Sequence, residues 1–186
     1  MKKLIAIIGI SVFIISLNAC KKTDADKTSS DVNNVIEEKD WEKLDKSEYS
    51  IQYPKDWTLD ISGTGGTVFM MTSKLDSDTD QVTQNVNGVI ENLPEKIDLD
   101  AYAKAALDQI KTVYPTILEK EKVKSENGDF YKVIFSGQQN GMELKLEQHY
   151  RIKNNKAYVI TFTSSIDDFD KDKEIGEKIM SSFNLK

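Results

Sequence analysis

Two alternating runs, Phe130 to Gly137 and Met142 to Lys153, flank the pair Asn140-Gly141, and this stretch narrows the available folds more than any other. Asn-Gly readily adopts the two positive φ angles of a type I′ turn, whose twist matches that of the strands it joins. Zipping outward from the turn sets Phe135 opposite Leu146, Val133 opposite Gln148 and Tyr131 opposite Tyr150, all on one face. The other face carries Glu147, His149 and Arg151, set against Ile134, Lys132 and Phe130. A second turn at Asn154-Asn155 leads into Ala157 to Phe162, which is apolar on both faces and is therefore expected to be a central strand with helices over at least one side. A three-residue loop, Asn154 to Lys156, would set Ile152 opposite Tyr158 and extend the same apolar face; that is the expected register.

Upstream the same period continues. Tyr49, Ile51 and Tyr53 alternate with polar residues, as in a half-buried strand. Pro54-Lys55-Asp56 makes a turn, and Trp57 to Ile61 alternates again. Gly63-Thr64-Gly65-Gly66 separates that strand from Val68 to Met71. A glycine run that cradles phosphate opens a helix and carries a P-loop lysine; this one does neither and reads as a hairpin turn. Asp76-Ser77-Asp78-Thr79-Asp80 resembles the start of a calcium loop, but Gln81 and Asn87 stand where the loop needs Gly and Glu. Val82 to Leu93 is a strand whose Gly88 suggests a bulge. Two helices are expected. The first follows Asp98, with Leu99, Tyr102, Ala103, Ala106, Ile110 and Val113 forming one stripe and Pro115 ending it. Thr116 to Lys124 is then a strand. The second helix, Asp167 to Phe183, places Ile175, Ile179 and Phe183 four apart. Acids fill its first turns, where the helix dipole favours them, and Gly176 permits close approach to the sheet.

The N-terminus addresses the chain to an envelope. Met1-Lys2-Lys3 precedes an uncharged apolar run from Leu4 to Leu17, then Leu17-Asn18-Ala19-Cys20. At ~1.5 Å per residue that run is about 21 Å long, short of the about 20 residues that cross a bilayer. A basic start, an apolar middle and a small residue before the cut describe a cleaved signal peptide. The only cysteine stands directly after the cut, which is the pattern of a bacterial lipoprotein. Residues 1–19 are thus expected to be removed between Ala19 and Cys20, and the Cys20 thiol to take the lipid. Residues 20–40 are polar and read as a tether, with a short helix from Val35 to Leu44 as the alternative. Residues 41–186 form a single domain. Lys21 after the cysteine favours the outer membrane by the enteric sorting rule.

The 25 basic and 31 acidic residues give a formal charge of −6; losing Lys2 and Lys3 makes it −8. Such a chain, with no basic cluster, is a poor partner for nucleic acid, and its membrane attachment rests on the acyl chains of Cys20. Catalytic groups are few. His149 is the one histidine, beside Glu147 and Arg151. A Glu-His pair can poise a general base, yet the cysteine is consumed and no serine can be placed beside it, so His149 is expected at the surface. No His/Cys metal set is available. The carboxylates read as a solvated face rather than as an acid–base pair. No catalytic residue, cofactor or metal ligand is expected. Trp57 and Phe69 flank the glycine turn and would line the rim of any apolar pocket.

Tyr49-Ser50-Ile51-Gln52-Tyr53-Pro54-Lys55-Asp56-Trp57 resembles the opening strand and Pro-x-x-Trp turn of PsbP-like domains. Ala157 to Phe162 and Ile179-Met180-Ser181-Ser182-Phe183 resemble that family's penultimate strand and closing helix. The family includes the photosystem II extrinsic subunit and DcrB-like envelope proteins. The resemblance implies an α+β fold, an antiparallel β-sheet sandwiched between helices. It also implies a non-catalytic accessory role that binds or assists an envelope protein partner. A lipid-anchored carrier of small apolar ligands is the alternative. Oligomeric state is not legible.

Overall fold

The computed structural model describes residues 40–75 and 82–186. Cys20, the tether and the aspartate run from Asp76 to Asp80 lie outside the described residues.

Asn140 and Gly141 have φ of 52° and 82°, as a type I′ turn requires. They join β7 (Phe130–Gln139) to β8 (Met142–Lys153). The expected pairings all form: Phe135 with Leu146, Val133 with Gln148, Tyr131 with Tyr150. The next turn differs from expectation. Asn154 and Asn155 both take positive φ, 51° and 59°, a conformation asparagine tolerates better than other L residues. They close a two-residue turn in which Lys153 faces Lys156 and Ile152 faces Ala157. The shift sends Tyr158 to the face opposite Ile152. Tyr158 belongs to β9 (Lys156–Ser165), which is apolar on both sides and so offers no alternation to choose the register.

Seven strands form one antiparallel sheet, in which β3 (Thr58–Asp60), β4 (Phe69–Thr72), β5 (Asn85–Asn92) and β6 (Thr116–Val123) complete the order β3-β4-β5-β9-β8-β7-β6. The expected central strand, β9, is the middle one. The glycine run forms the β3–β4 connection, through a short 3-10 turn at Thr64–Gly66. Gly88 makes no bulge: its pairing with Phe69 on one side and Ile160 on the other is continuous. A Cβ there would lie 2.3 Å from Phe69 Cε1, so the glycine makes room for that ring.

Helix α1 (Leu99–Val113) covers one face, capped by Asp98, whose carboxylate accepts from the Ala101 amide at 2.8 Å. Tyr102, Ala103, Ala106, Leu107 and Ile110 pack there with Val133, Phe135, Leu146 and Tyr150. Val113, expected on this stripe, is exposed. The chain leaves the helix at Tyr114, whose ring turns in against Phe135 and Gly137 instead.

The other face is covered by α2 (Phe169–Ser181) and by a small sheet of β1 (Trp41–Asp45), β2 (Tyr49–Pro54) and β10 (Asn184–Leu185), in the order β1-β2-β10. Residues 41–45 are thus strand, against the helical alternative for that stretch; WEKLD has little strand character of its own and is held by its ladder to β2. Tyr49, Ile51, Phe69, Phe162, Phe169, Ile179 and Phe183 form the second core. Gly176 is where α2 meets the sheet: a Cβ there would lie 2.6 Å from Phe162 Cγ. The result is α+β, an antiparallel sheet between helical layers, as expected.

Candidate functional site

Period 2 along β8 places Glu147, His149 and Arg151 in one row. Expected at the surface, His149 is 6% exposed, with Glu147 at 1% and Arg151 at 3%. The reason is long-range. This is the face α2 covers, and the row lies beside Phe162, Ile160 and Tyr158 of β9. A strand apolar on both faces implies cover on at least one; the structure covers both faces of β9, and β8 beside it shares that cover.

His149 Nε2 and Glu147 Oε1 are 2.7 Å apart. The imidazole lies over the Phe130 ring, centroids 4.3 Å apart. Burial pushes the His149 pKa down, the positive charges of Arg151 and Lys132 add to this, and hydrogen bonding to Glu147 offsets only part. The ring is therefore neutral near pH 7. Glu147 Oε2 is buried with no partner among the described residues. Across the pair on β7, Lys132 Nζ lies 3.1 Å from Glu119 and 3.8 Å from Glu121. Burial opposes its charge, but those acids and Glu147 outweigh burial and raise its pKa.

Above the pair runs an open groove of about 580 Å³. Its floor and near wall are Glu147, His149, Lys132 and Phe130; β6 adds Glu121 and Val123, and α2 adds Glu174, Glu177, Lys178 and Ser181. Arg151, at the end of the row, has a structural task. Its Nη1 donates to the carbonyls of Asn127 at 2.6 Å and Gly128 at 3.3 Å, and its guanidinium lies against Phe130 and Phe183. A second cavity of about 630 Å³ lies beyond it, between the 126–129 turn and the chain's C-terminal residues. Its lysines are already engaged, Lys122 with Asp100 and Lys153 with the Leu185 carbonyl. The first groove is therefore the better candidate, although slightly smaller.

Catalysis by this pair would need a nucleophile or a substrate proton within reach of His149. Ser181 lines the groove, but its hydroxyl donates to the Lys178 carbonyl at 3.1 Å. Among the described residues no three His, Cys, Asp or Glu side chains come close enough to hold a metal ion. What the arrangement offers is an open groove lined by charges of both signs, Glu121, Glu174 and Glu177 with Lys132 and Lys178, beside a buried His149–Glu147 pair.

Two other buried acids correct the reading of all carboxylates as solvated. Glu91 accepts from Tyr102 at 2.9 Å on the α1 side, and burial raises its pKa. Asp172 accepts from Ser164 at 2.5 Å and from Gln84 at 3.1 Å, which fastens the first turns of α2 to β9. Both are tertiary ties that no local pattern announces, and the second oxygen of Glu91 is buried without a partner among the described residues. Phe69 is fully buried and Trp57 nearly so; they belong to the core and line no rim.

No protein-family model matches the chain, and no curated protein matches it in sequence. Solved structures do match in shape. Cyanobacterial PsbP (CyanoP) from Synechocystis aligns with a TM-score of 0.60 at 14% identity, covering 84% of this chain and 98% of its own. LpqN of Mycobacterium tuberculosis, described as involved in cell envelope biogenesis, aligns at 0.57 with 11% identity, covering 78% and 91%. A Pseudomonas aeruginosa protein of unknown function, PA94, aligns at 0.54 with 11% identity, covering 76% and 94%. The chain has the PsbP-like fold.

Proposed function

We propose that this chain is a lipid-anchored accessory protein of the bacterial envelope: a PsbP-like domain, held by acyl chains on Cys20, that binds another envelope protein and catalyses nothing itself. The observation that carries this reading is the pairing of the Leu17-Asn18-Ala19-Cys20 sequence with a fold shared by an envelope-biogenesis protein. Two further points support it. Among the described residues no helix is long and apolar enough to cross a membrane, which is compatible with attachment through Cys20. Among the described residues the buried histidine is bonded to a carboxylate and to no hydroxyl, which fits recognition better than bond cleavage. The proposed order is signal peptide 1–19, anchor and tether 20–40 and domain 41–186, in the outer membrane.

Metabolic labelling with an alkyne fatty acid should tag the protein, and Cys20→Ala should abolish the tag; a labelled alanine variant would sink the anchor. Pull-down from detergent-solubilised envelopes should enrich a partner over the Cys20→Ala control. Recovery of none would remove the accessory role.

A further inference from the structure

Strand β6 is the longest open sheet edge among the described residues: 8 residues, against 3 in β3 at the other end of the same sheet and 5 in β1. Leu118 to Lys122 are exposed, and such a row of unpaired N–H and C=O groups is a template for another strand. Its charges are sorted by face. Glu119 and Glu121 stand opposite Ile134 and Lys132 on the side of α2, whereas Lys120 and Lys122 stand opposite Val133 and Tyr131 on the side of α1. The ion pairs follow the same division, Glu119 and Glu121 with Lys132, and Lys122 with Asp100 of α1.

Symmetry makes that sorting selective. Identical chains associate most often about a two-fold axis, and two copies of β6 that extend one antiparallel sheet are related by an axis perpendicular to it. Such an axis leaves each face on its own side. Residues directly opposite in an antiparallel pair share a face, so glutamate is brought to glutamate and lysine to lysine. With the axis at Lys120, Lys120 meets its own copy and Glu119 meets Glu121 on either side. With the axis at Glu121, Glu121 meets its own copy and Lys120 meets Lys122. Like charges directly opposite destabilise a strand pair. A parallel pair about a two-fold along the strand would interleave the signs, but it sets N–H against N–H and C=O against C=O at each level and forms no ladder. A strand of the opposite phase, with bases on the α2 side and acids on the α1 side, meets an opposite charge at each of these positions.

We infer that the β6 edge discriminates by charge phase: it turns away a second copy of this chain and leaves room only for a strand whose Lys and Glu alternate in the opposite order. This goes beyond the accessory role and does not depend on the Cys20 anchor.

The protein itself serves as the probe. Glu119→Lys, Lys120→Glu, Glu121→Lys and Lys122→Glu together reverse the phase and leave the net charge unchanged. The mature chain, isotope-labelled and in enough detergent that each micelle holds one chain, would be followed through the amides of residues 116–123 as its concentration rises. Neither the wild type nor the reversed chain should self-associate through these amides. Their mixture should associate at least tenfold more tightly than either alone, and should weaken as salt is added. Reversal sets Lys132 against two new lysines, so a milder variant is needed beside it. Lys120→Thr with Glu121→Thr removes the like pairs about Lys120 but keeps the Glu119–Lys132 and Lys122–Asp100 bridges; it should self-associate where the wild type does not. That variant decides the matter if the reversed chain fails to fold. Wild-type self-association through β6, a folded reversed chain that gains nothing in the mixture, or a threonine variant that associates no better than the wild type overturns the inference. Each of these results leaves the anchor and the accessory role to their own tests.

Discussion

At the scale of single residues, the chain's chemistry is set by which titratable groups lose water. His149 is surrounded by Glu147 and Arg151 on its own strand, Lys132 on β7, and Glu174, Glu177 and Lys178 from α2. Its folded pKa lies below the ordinary 6.5. As pH falls through 6.5 the unfolded chain takes the proton first, so the folded state loses stability on acidification and holds its full share above that value. The slope from one proton is at most about 1.4 kcal/mol per pH unit. Urea melts between pH 7.5 and 5 should therefore show a falling stability that His149→Gln flattens; parallel pH profiles would refute the buried neutral ring. Glu91 acts in the opposite sense. Its pKa is raised by burial, so its protonation favours the fold as pH falls, and Glu91→Gln should raise the stability measured at neutral pH by about 1 kcal/mol. That variant separates the two cores by their acid response.

Elements acquire their shape from what they must accommodate. Strand β5 carries Gly88 because the Phe69 ring of β4 occupies the space a Cβ would need, 2.3 Å from the nearest carbon. Gly88→Ala should cost about 1–3 kcal/mol by overpacking, and Phe69→Leu in the same chain should recover part of it; additive losses in denaturant melts would show that the ring is not the cause. Helix α1 depends on a side-chain cap, since Asp98 binds the Ala101 amide. Asp98→Ala should lower stability by about 1 kcal/mol, whereas Asp98→Asn should cost far less. Strand β6 is an edge, and its exposed alternation of Lys and Glu with a register shift between Ile117 and Glu119 discourages pairing with another chain. The β7–β8 register was legible because a turn of known geometry met a strict alternation. The β8–β9 register was not, because a strand apolar on both faces accepts either pairing and two asparagines with positive φ made the choice.

In the molecule as a whole, one sheet separates two cores, and β9 belongs to both. Ala157 and Val159 pack toward α1 while Tyr158, Ile160 and Phe162 pack toward α2 and the small sheet. Opening β9 disrupts both cores at once, so its amides should exchange with solvent only through global unfolding. The outer strands β3 and β6 should exchange through smaller openings. Hydrogen exchange followed against denaturant checks this; β9 amides that exchange with the free energy of the edges would show the two cores unfolding independently.

The strands around Asn140-Gly141 with their β7–β8 pairing, the two amphipathic helices and the central strand follow from the order of residues alone, through periods of 2 and 3.6 and local turn and cap chemistry. The sequence also carries the whole case for the Cys20 anchor, which lies outside the described residues. That the face holding Glu147, His149 and Arg151 is dry follows from packing and not from the pattern. Alternation says which side chains stand together but not what lies over them. That cover comes from α2, which follows β9 in the chain, and from a small sheet whose first strand, Trp41–Asp45, is held by its ladder to β2. Burial is a property of contacts distant in sequence, and it turned a polar strand face into the floor of the groove.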